Sequence, residues 1–441
     1  MCGIVGVWGE NATERVLKGL CSIQHRGQDS CGIFCAGKKR YMKKDVGLVL
    51  EVLKNFDFCS KIAIGHVRYP TVGTNPKIDA QPFFENDVAI VHNGNVVNIS
   101  ELRDELREKG ISLKSKCDAE VILHVLIEEL EENDVFDAVS NLMDRVLGGY
   151  SVLAVVDEML IAFRDPHGIR PLVFSENDQS FMFASESVAL DVNSFSLIYD
   201  VKPGEVVLIA SDVERKRLKR EEKFHCMFEW VYFSRPDSVI EGRSVYEARL
   251  ELGGNIEFSQ DADVVIPIPD TARTAALGFS EKYKIPYREG LIKNRYVGRT
   301  FIMPTQRERK KAVENNLNII KSEIVGKRVV LVDDSIVRGT TSKKIVEMVR
   351  KAGARKVFLV SSCPEIKFPC YYGIDFPSKN ELISGNIDCI GADKVIYQSI
   401  DGLKRAIGVK GLCTACLDGC YPVTREIESF EALRMKERAV T

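Results

Sequence analysis

The chain has 441 residues, too many for one ordinary core, so two or three domains are expected. Its 61 Lys and Arg balance 63 Asp and Glu, which excludes bulk attraction to nucleic acid or to an anionic membrane. No apolar run spans a bilayer and no leader pattern opens the chain. With 13 cysteines, an odd number, this predicts a cytoplasmic protein whose thiols are buried or metal-bound rather than paired.

The chain opens Met1-Cys2-Gly3-Ile4-Val5-Gly6. Removal of Met1 would leave Cys2 with a free α-amine beside its thiol. An α-amine titrates near ~7.7–8.0 and a thiol near ~8.5, so the residue would be a nucleophile carrying its own general base. The alternative is a small apolar residue starting a strand. Up to about residue 220 short apolar strands follow (61–65, 88–91, 151–156), with amphipathic helices over 100–109 and 119–130. A basic stretch, Val213–Lys223, reads as a linker. From about 260 the pattern alternates strand and helix: Val264–Ile268, Val329–Val332, a helix over 341–352, then Val357–Val360. Such alternation predicts a parallel α/β sheet. The tail, 401–441, holds another helix and a cysteine cluster.

Five polar segments punctuate the first half. His25–Ser30, with Arg26, is a turn. Arg68 leaves a strand end in Gly65–Thr71. His92-Asn93-Gly94-Asn95 follows a strand, and a side-chain amide beside a backbone N–H suits an oxyanion hole, although Asn-Gly is also a common hairpin turn. Asp118 opens a helix, where an N-cap is the plain reading. Arg164–Leu172 is a charged turn. Together the five resemble the N-terminal-nucleophile glutamine amidotransferase domain. That resemblance implies an α+β sandwich of α/β/β/α layers over 2–222. It also implies Cys2 as the nucleophile, Asn93 and Gly94 as the oxyanion hole, and Arg26, Arg68 and Asp118 in glutamine binding.

In the second half, Val329–Val332 delivers Asp333 and Asp334 into a loop, Ser335–Gly339, that opens a helix at Thr340 and Thr341. Backbone N–H groups at a helix start suit a phosphate, and paired carboxylates suit ribose hydroxyls or hydrated Mg²⁺. The motif resembles the phosphoribosyl pyrophosphate (PRPP) signature of type I phosphoribosyltransferases, implying an α/β domain over 223–400. By the same resemblance Ser335, Arg338, Gly339, Thr340 and Thr341 bind PRPP. Thr271, Asp333 and Asp334 would hold one Mg²⁺, while Lys293, Arg295 and Arg299 lie on a loop that closes over the pyrophosphate.

Cys413-Thr414-Ala415-Cys416 is a C-x-x-C pair suited to zinc, redox or iron–sulfur chemistry. Some enzymes that join these two domains carry a structural [4Fe–4S] cluster, and Cys226, Cys370, Cys413 and Cys416 match its ligands; zinc is the alternative. Cys363 and Cys420 lie close to this set, whereas Cys21, Cys31, Cys35, Cys59, Cys117 and Cys389 are expected to be ordinary buried residues. The joined domains imply transfer of the glutamine amide nitrogen to PRPP, giving 5-phosphoribosylamine, pyrophosphate and glutamate at the entry to purine synthesis. Purine nucleotides as feedback inhibitors and a homotetramer are implied likewise. Asp333–Thr341 replaces the ATP-pyrophosphatase loop or isomerase domain of other glutaminase-bearing enzymes. A non-catalytic paralogue would have lost Cys2 or the paired aspartates.

Overall fold

The computed structural model describes residues 2–69, 77–177, 180–210, 212–294, 317–374, 376 and 379–423. Two antiparallel sheets are stacked in the first half. The seven-stranded sheet is ordered Ile198–Asp200, Val173–Asn177, Ser180–Ala184, Gly3–Gly9, Ile62–Arg68, Ser30–Ala36, Tyr41–Val46. The six-stranded sheet runs Val213–Arg217, Glu205–Ile209, Met159–Arg164, Gly148–Val156, Val88–Val96, Phe83–Glu85. Its central strands are apolar on both faces because both are covered. Ile4, Phe34, Ile64, Val91, Leu153 and Phe183 fill the space between the sheets. Outside the larger sheet, Val16 and Leu20 of helix Ala12–Ser22 pack on Val5 and Ile33. Helices Asp118–Glu132 and Val135–Arg145 cover the other. The α/β/β/α layering is therefore present.

The second half is built on four parallel strands, Val264–Pro267, Arg328–Asp333, Lys356–Ser361 and Lys394–Tyr397, in that spatial order. Helix Thr340–Lys351 buries Ile345, Val346 and Val349 against them. The tail returns to the start of this half, where His225–Cys226 pairs in parallel with Leu412–Cys413. The core beneath the six-stranded sheet continues without a break into Met227, Trp230, Leu252, Leu403 and Leu417. Among the described residues no helix is long and apolar enough to cross a membrane.

Three expectations are corrected. The stretch expected as a linker, Val213–Lys223, begins as an edge strand: Val213–Arg217 pairs with Glu205–Ile209, and a solvated edge tolerates its charges. Asn93 and Gly94 do not follow a strand or form a turn; they lie inside Val88–Val96, opposite Ser151 and Tyr150. Cys59 and Cys389 are exposed and Cys21 is half-buried, so only Cys31, Cys35 and Cys117 of that group are buried.

Candidate active sites

Cys2 stands at the head of Gly3–Gly9, where the strand register sets Gly3 against Val67 and brings Arg68 to the same sheet end. The Cys2 thiol faces the Tyr69 carbonyl at 3.6 Å, and its own carbonyl accepts from Arg26 Nε at 2.9 Å. One hydroxyl ties this strand to the other sheet. Ser185 Oγ accepts from Ile4 N at 3.0 Å and from Asn93 Nδ2 at 3.4 Å. Asn93 Oδ1, an acceptor, is buried without a hydrogen-bond partner, while Nδ2 spends one of its two protons on Ser185. Gly94 has φ 154, and a Cβ there would run into Gly149 O and the Tyr150 Cα. Only glycine allows that backbone approach.

Arg68 is buried, with Asp29 at 3.4 Å and Asp79 at 3.8 Å. Asp118 is the first residue of its helix, after Cys117 at the N-cap. Burial would raise its carboxyl, but His92, 3.4 Å away, the Val96 N–H and Arg68 hold it below the usual range. Asp118 is thus a buried carboxylate rather than a cap.

Arg26 is almost fully buried and pairs with Glu186 at 2.6 Å and with Glu229, from the second half, at 2.8 Å. Arg170 adds a second cation to Glu229 at 3.1 Å. Against the cost of burial, His25 and Arg26 hold Glu186, and Arg26 and Arg170 hold Glu229, below the ordinary carboxylate range. The guanidinium of Arg26 is committed to these carboxylates and to the Cys2 carbonyl.

The second site lies at the carboxyl ends of the parallel strands, where open α/β sheets bind ligands. Ile268 N donates to Val332 O at 2.8 Å, which sets the loop bearing Thr271 beside Asp333. Asp333 is buried, as is much of Asp334. Burial, then mutual repulsion, pushes Asp333 well above the carboxylate range; burial pushes Asp334 up to about 6. A divalent cation would hold both ionised, and this donor pair fits Mg²⁺. Ser335 Oγ donates to Asp334 at 2.9 Å. Gly339 (φ 69) caps the helix beginning Thr340-Thr341, and a Cβ there would collide with Ile383. Arg338 contacts Glu381 at 3.4 Å, and Lys293 lies 3.7 Å from Asp270. Arg295 and Arg299 lie outside the described residues.

Cys226, Cys370, Cys413 and Cys416 line one pocket, with Ile169, Phe228, Tyr372 and Tyr421. Cys226 and Cys413 are paired across the two short strands, and Cys416 sits on the turn of helix Ala415–Asp418. Burial, then neighbouring thiols, pushes the Cys413 and Cys416 thiols well above their usual range, so four thiolates here would need a cation among them. The donor set fits an iron–sulfur cluster. Among the described residues no three His, Cys, Asp or Glu are placed to hold a metal ion. Cys363 is buried nearby and Cys420 is exposed.

The fold and these sites define a glutamine amidotransferase joined to a phosphoribosyltransferase. A model described as "Glutamine amidotransferase domain" matches residues 66–192. The chain is 44% identical to the amidophosphoribosyltransferase of Methanocaldococcus jannaschii, over 98% of this chain and 99% of that one. It is 45% identical to that of Pseudomonas aeruginosa, over 99% and 96%. Among solved structures it resembles the Bacillus subtilis glutamine PRPP amidotransferase complexed with ADP and GMP, with a TM-score of 0.88, 39% identity and coverage of 96% and 98%. The chain belongs to the amidophosphoribosyltransferase family.

Sequence reasoning missed Ser185, Glu186, Asp79 and Glu229. Ser185-Glu186 directly follows the strand Ser180–Ala184, and a charged residue at the end of that apolar run was the one available signal. Glu229 allows a direct test. Glu229→Gln would take from Arg26 and Arg170 the carboxylate charge they share, leaving Arg26 only Glu186, and breaking a buried pair costs about 3–5 kcal/mol. Urea denaturation should show a loss of that size at pH 7. The gap should narrow on acidification: Glu229 titrates below its unfolded value near ~4.3, so its stabilisation is full above that pH and is lost as pH falls.

Proposed function

We propose that these residues carry out the family's reaction: glutamine, PRPP and water give 5-phosphoribosylamine, pyrophosphate and glutamate, the first committed step of de novo purine synthesis. The observation that carries the residue assignment is the junction at Ser185, which joins the strand headed by Cys2 to the strand of Asn93 and Gly94. With Met1 removed, the Cys2 α-amine takes the thiol proton and the thiolate attacks the glutamine amide carbon. Asn93 and the Gly94 N–H donate to the developing oxyanion, a term worth about 10²–10³ in rate per donor. The amine then protonates the departing nitrogen, ammonia leaves, and water hydrolyses the thioester to glutamate. Arg68 holds the glutamine α-carboxylate and Asp118 its α-ammonium. Arg26 holds the Cys2 backbone rather than touching glutamine.

Ammonia then attacks C1 of PRPP and pyrophosphate departs. Asp333 and Asp334 face the ribose and, with Thr271, would hold Mg²⁺, which supplies charge neutralisation to the pyrophosphate. Ser335, Thr340, Thr341 and the helix start cradle the 5-phosphate, with Arg338 beside them. Lys293, Arg295 and Arg299 answer the pyrophosphate. The glutaminase part is assigned to 2–222, the transferase part to 223–400 and the tail to 401–441. Purine nucleotides, the class named in the Bacillus subtilis complex, are proposed as inhibitors of a cytoplasmic homotetramer. Cys226, Cys370, Cys413 and Cys416 are assigned to a structural [4Fe–4S] cluster, because the reaction transfers no electron and the thiols instead join three distant stretches of chain.

Cys2→Ala should abolish glutamine-dependent synthesis and spare synthesis from high ammonia. Loss of both in folded, PRPP-binding protein would refute the division of labour.

Asp333→Asn with Asp334→Asn should remove synthesis from either nitrogen source and leave basal glutaminase intact. Isothermal titration should show no PRPP binding with Mg²⁺ present; parental affinity would overturn the assignment.

Anaerobically purified protein should contain iron and labile sulfide with a visible charge-transfer band that fades in air together with activity. Cys413→Ser should lose both band and stability, and Cys420→Ser neither. One zinc per chain, without sulfide, would replace the cluster by the zinc alternative.

A further inference from the structure

The Gly94 peptide is confined from two directions, and the second confinement comes from the transferase half. On one side lies the neighbouring strand, through Gly149 and Tyr150. On the other lies Gly373. A Cβ on Gly373 would sit 3.2 Å from the Gly94 carbonyl carbon and 3.3 Å from its Cα and O. The flanking contacts hold this approach in place. Asn95 Nδ2, one residue after Gly94, donates to Tyr371 O at 2.8 Å. Arg170 Nη1 donates to Tyr372 O at 3.3 Å, and a Cβ on Gly149 would lie 3.1 Å from Tyr372 Cβ. Tyr372 is itself tied down, its hydroxyl donating to Val423 O at 2.8 Å and accepting from Val423 N at 3.0 Å. Two polar side chains of the glutaminase half, both buried, therefore grip the backbone of a three-residue strap belonging to the other half. Gly373, at φ 101, packs against the Cα and carbonyl of Gly94, the residue whose N–H is assigned to the oxyanion.

We infer that the strap Tyr371-Tyr372-Gly373 positions the oxyanion hole, with Gly373 as a positioning residue for glutamine hydrolysis. The inference rests on Asn93 and Gly94 being that hole. The physical reason is precision. A donor aimed at a developing oxyanion loses its value when it moves by a fraction of an ångström, and a misplacement of about 1 Å costs about 10²-fold in rate. A lone glycine peptide in a strand has no side chain to fix it, and the strap supplies a wall where a side chain cannot. Arg68 and Asp118, the residues assigned to the glutamine α-groups, are held by Asp29 and Asp79 and by His92 and the Val96 N–H, so glutamine binding should not depend on the strap.

Gly373→Ala tests this, since the new methyl would press on the Gly94 Cα and carbonyl from 3.2–3.3 Å and shift that residue by a few tenths of an ångström. The expected result is a glutaminase kcat lowered about 10- to 100-fold, an unchanged KM for glutamine and unchanged ammonia-dependent synthesis. Gly391→Ala is the control for backbone strain alone, with φ 77 and no atom within 4 Å of the new methyl; it should alter neither activity. A parental kcat in Gly373→Ala would overturn the inference, as would a parallel fall of glutamine- and ammonia-dependent rates. Should Gly373→Ala fail to fold, Asn95→Ala decides by the same split, with a lowered kcat at constant KM expected and a parental kcat fatal. Asn93→Ala separates this inference from the reading beneath it. If that variant keeps full glutaminase, the oxyanion assignment itself falls; if it is inactive while Gly373→Ala is not, only the strap is rejected.

Discussion

The fold depends on one buried guanidinium. Arg26 reaches from the turn after the first helix to the Cys2 carbonyl, to Glu186 beyond a strand of the same sheet, and to Glu229 in the second half. Two arginines and two glutamates balance in charge, and each carboxylate has further donors: Ser234 and Arg170 for Glu229, Ser238 and the Arg235 N–H for Glu186. An ion set this dry is weak as a source of net stability but severe when incomplete. It therefore selects one arrangement of the two halves and penalises the others.

That selection has a chemical use. In the proposed reaction, ammonia released beside Cys2 becomes ammonium, and useless as a nucleophile, once it meets bulk water. The two sites must keep a fixed relation if nitrogen is to pass between them. The network reaches toward the second site as well. Ser234 O accepts from Arg249 at 2.7 Å, and the charge of Arg249, after the Ser335 hydrogen bond, offsets part of the burial that raises the Asp334 carboxyl. A continuous path of buried polar groups thus runs from the Cys2 carbonyl to the neighbourhood of the paired aspartates.

Local chemistry was legible in the sequence; cross-chain geometry was not. Cys2, Arg68, Asp118 and the Asp333–Thr341 loop could be read because short motifs place them at strand ends or helix starts. Asn93-Gly94 was read as following a strand because Asn-Gly ordinarily turns. Inside Val88–Val96 the strand instead needs glycine for the approach of Gly149, a partner 55 positions away that no local pattern reveals. Val213–Lys223 looked like a linker because an edge strand with solvent on one side tolerates the charges a linker carries. Ser185, Glu186 and Glu229 had no motif at all. Their roles exist only once β register and the packing of the two halves bring them within hydrogen-bond distance.

The cysteine pocket shows the same limit from the side of stability. The elements that bring its four thiols together are a two-residue parallel pairing, a four-residue helix and an irregular stretch around Cys370. None is long enough to be stable alone: helix nucleation is costly, and isolated strand pairs are marginal even when far longer. Packing offsets part of this through Leu412, Ala415 and Leu417 in the shared core. Yet three of the thiols are buried and the fourth, Cys370, is half-buried, its Sγ accepting from Tyr372 N at 3.4 Å. Bonds from four thiolates to a cluster would turn this weak junction into a fixed one. Because Tyr371–Gly373 directly follows Cys370, whatever holds that thiol also holds the strap against Gly94.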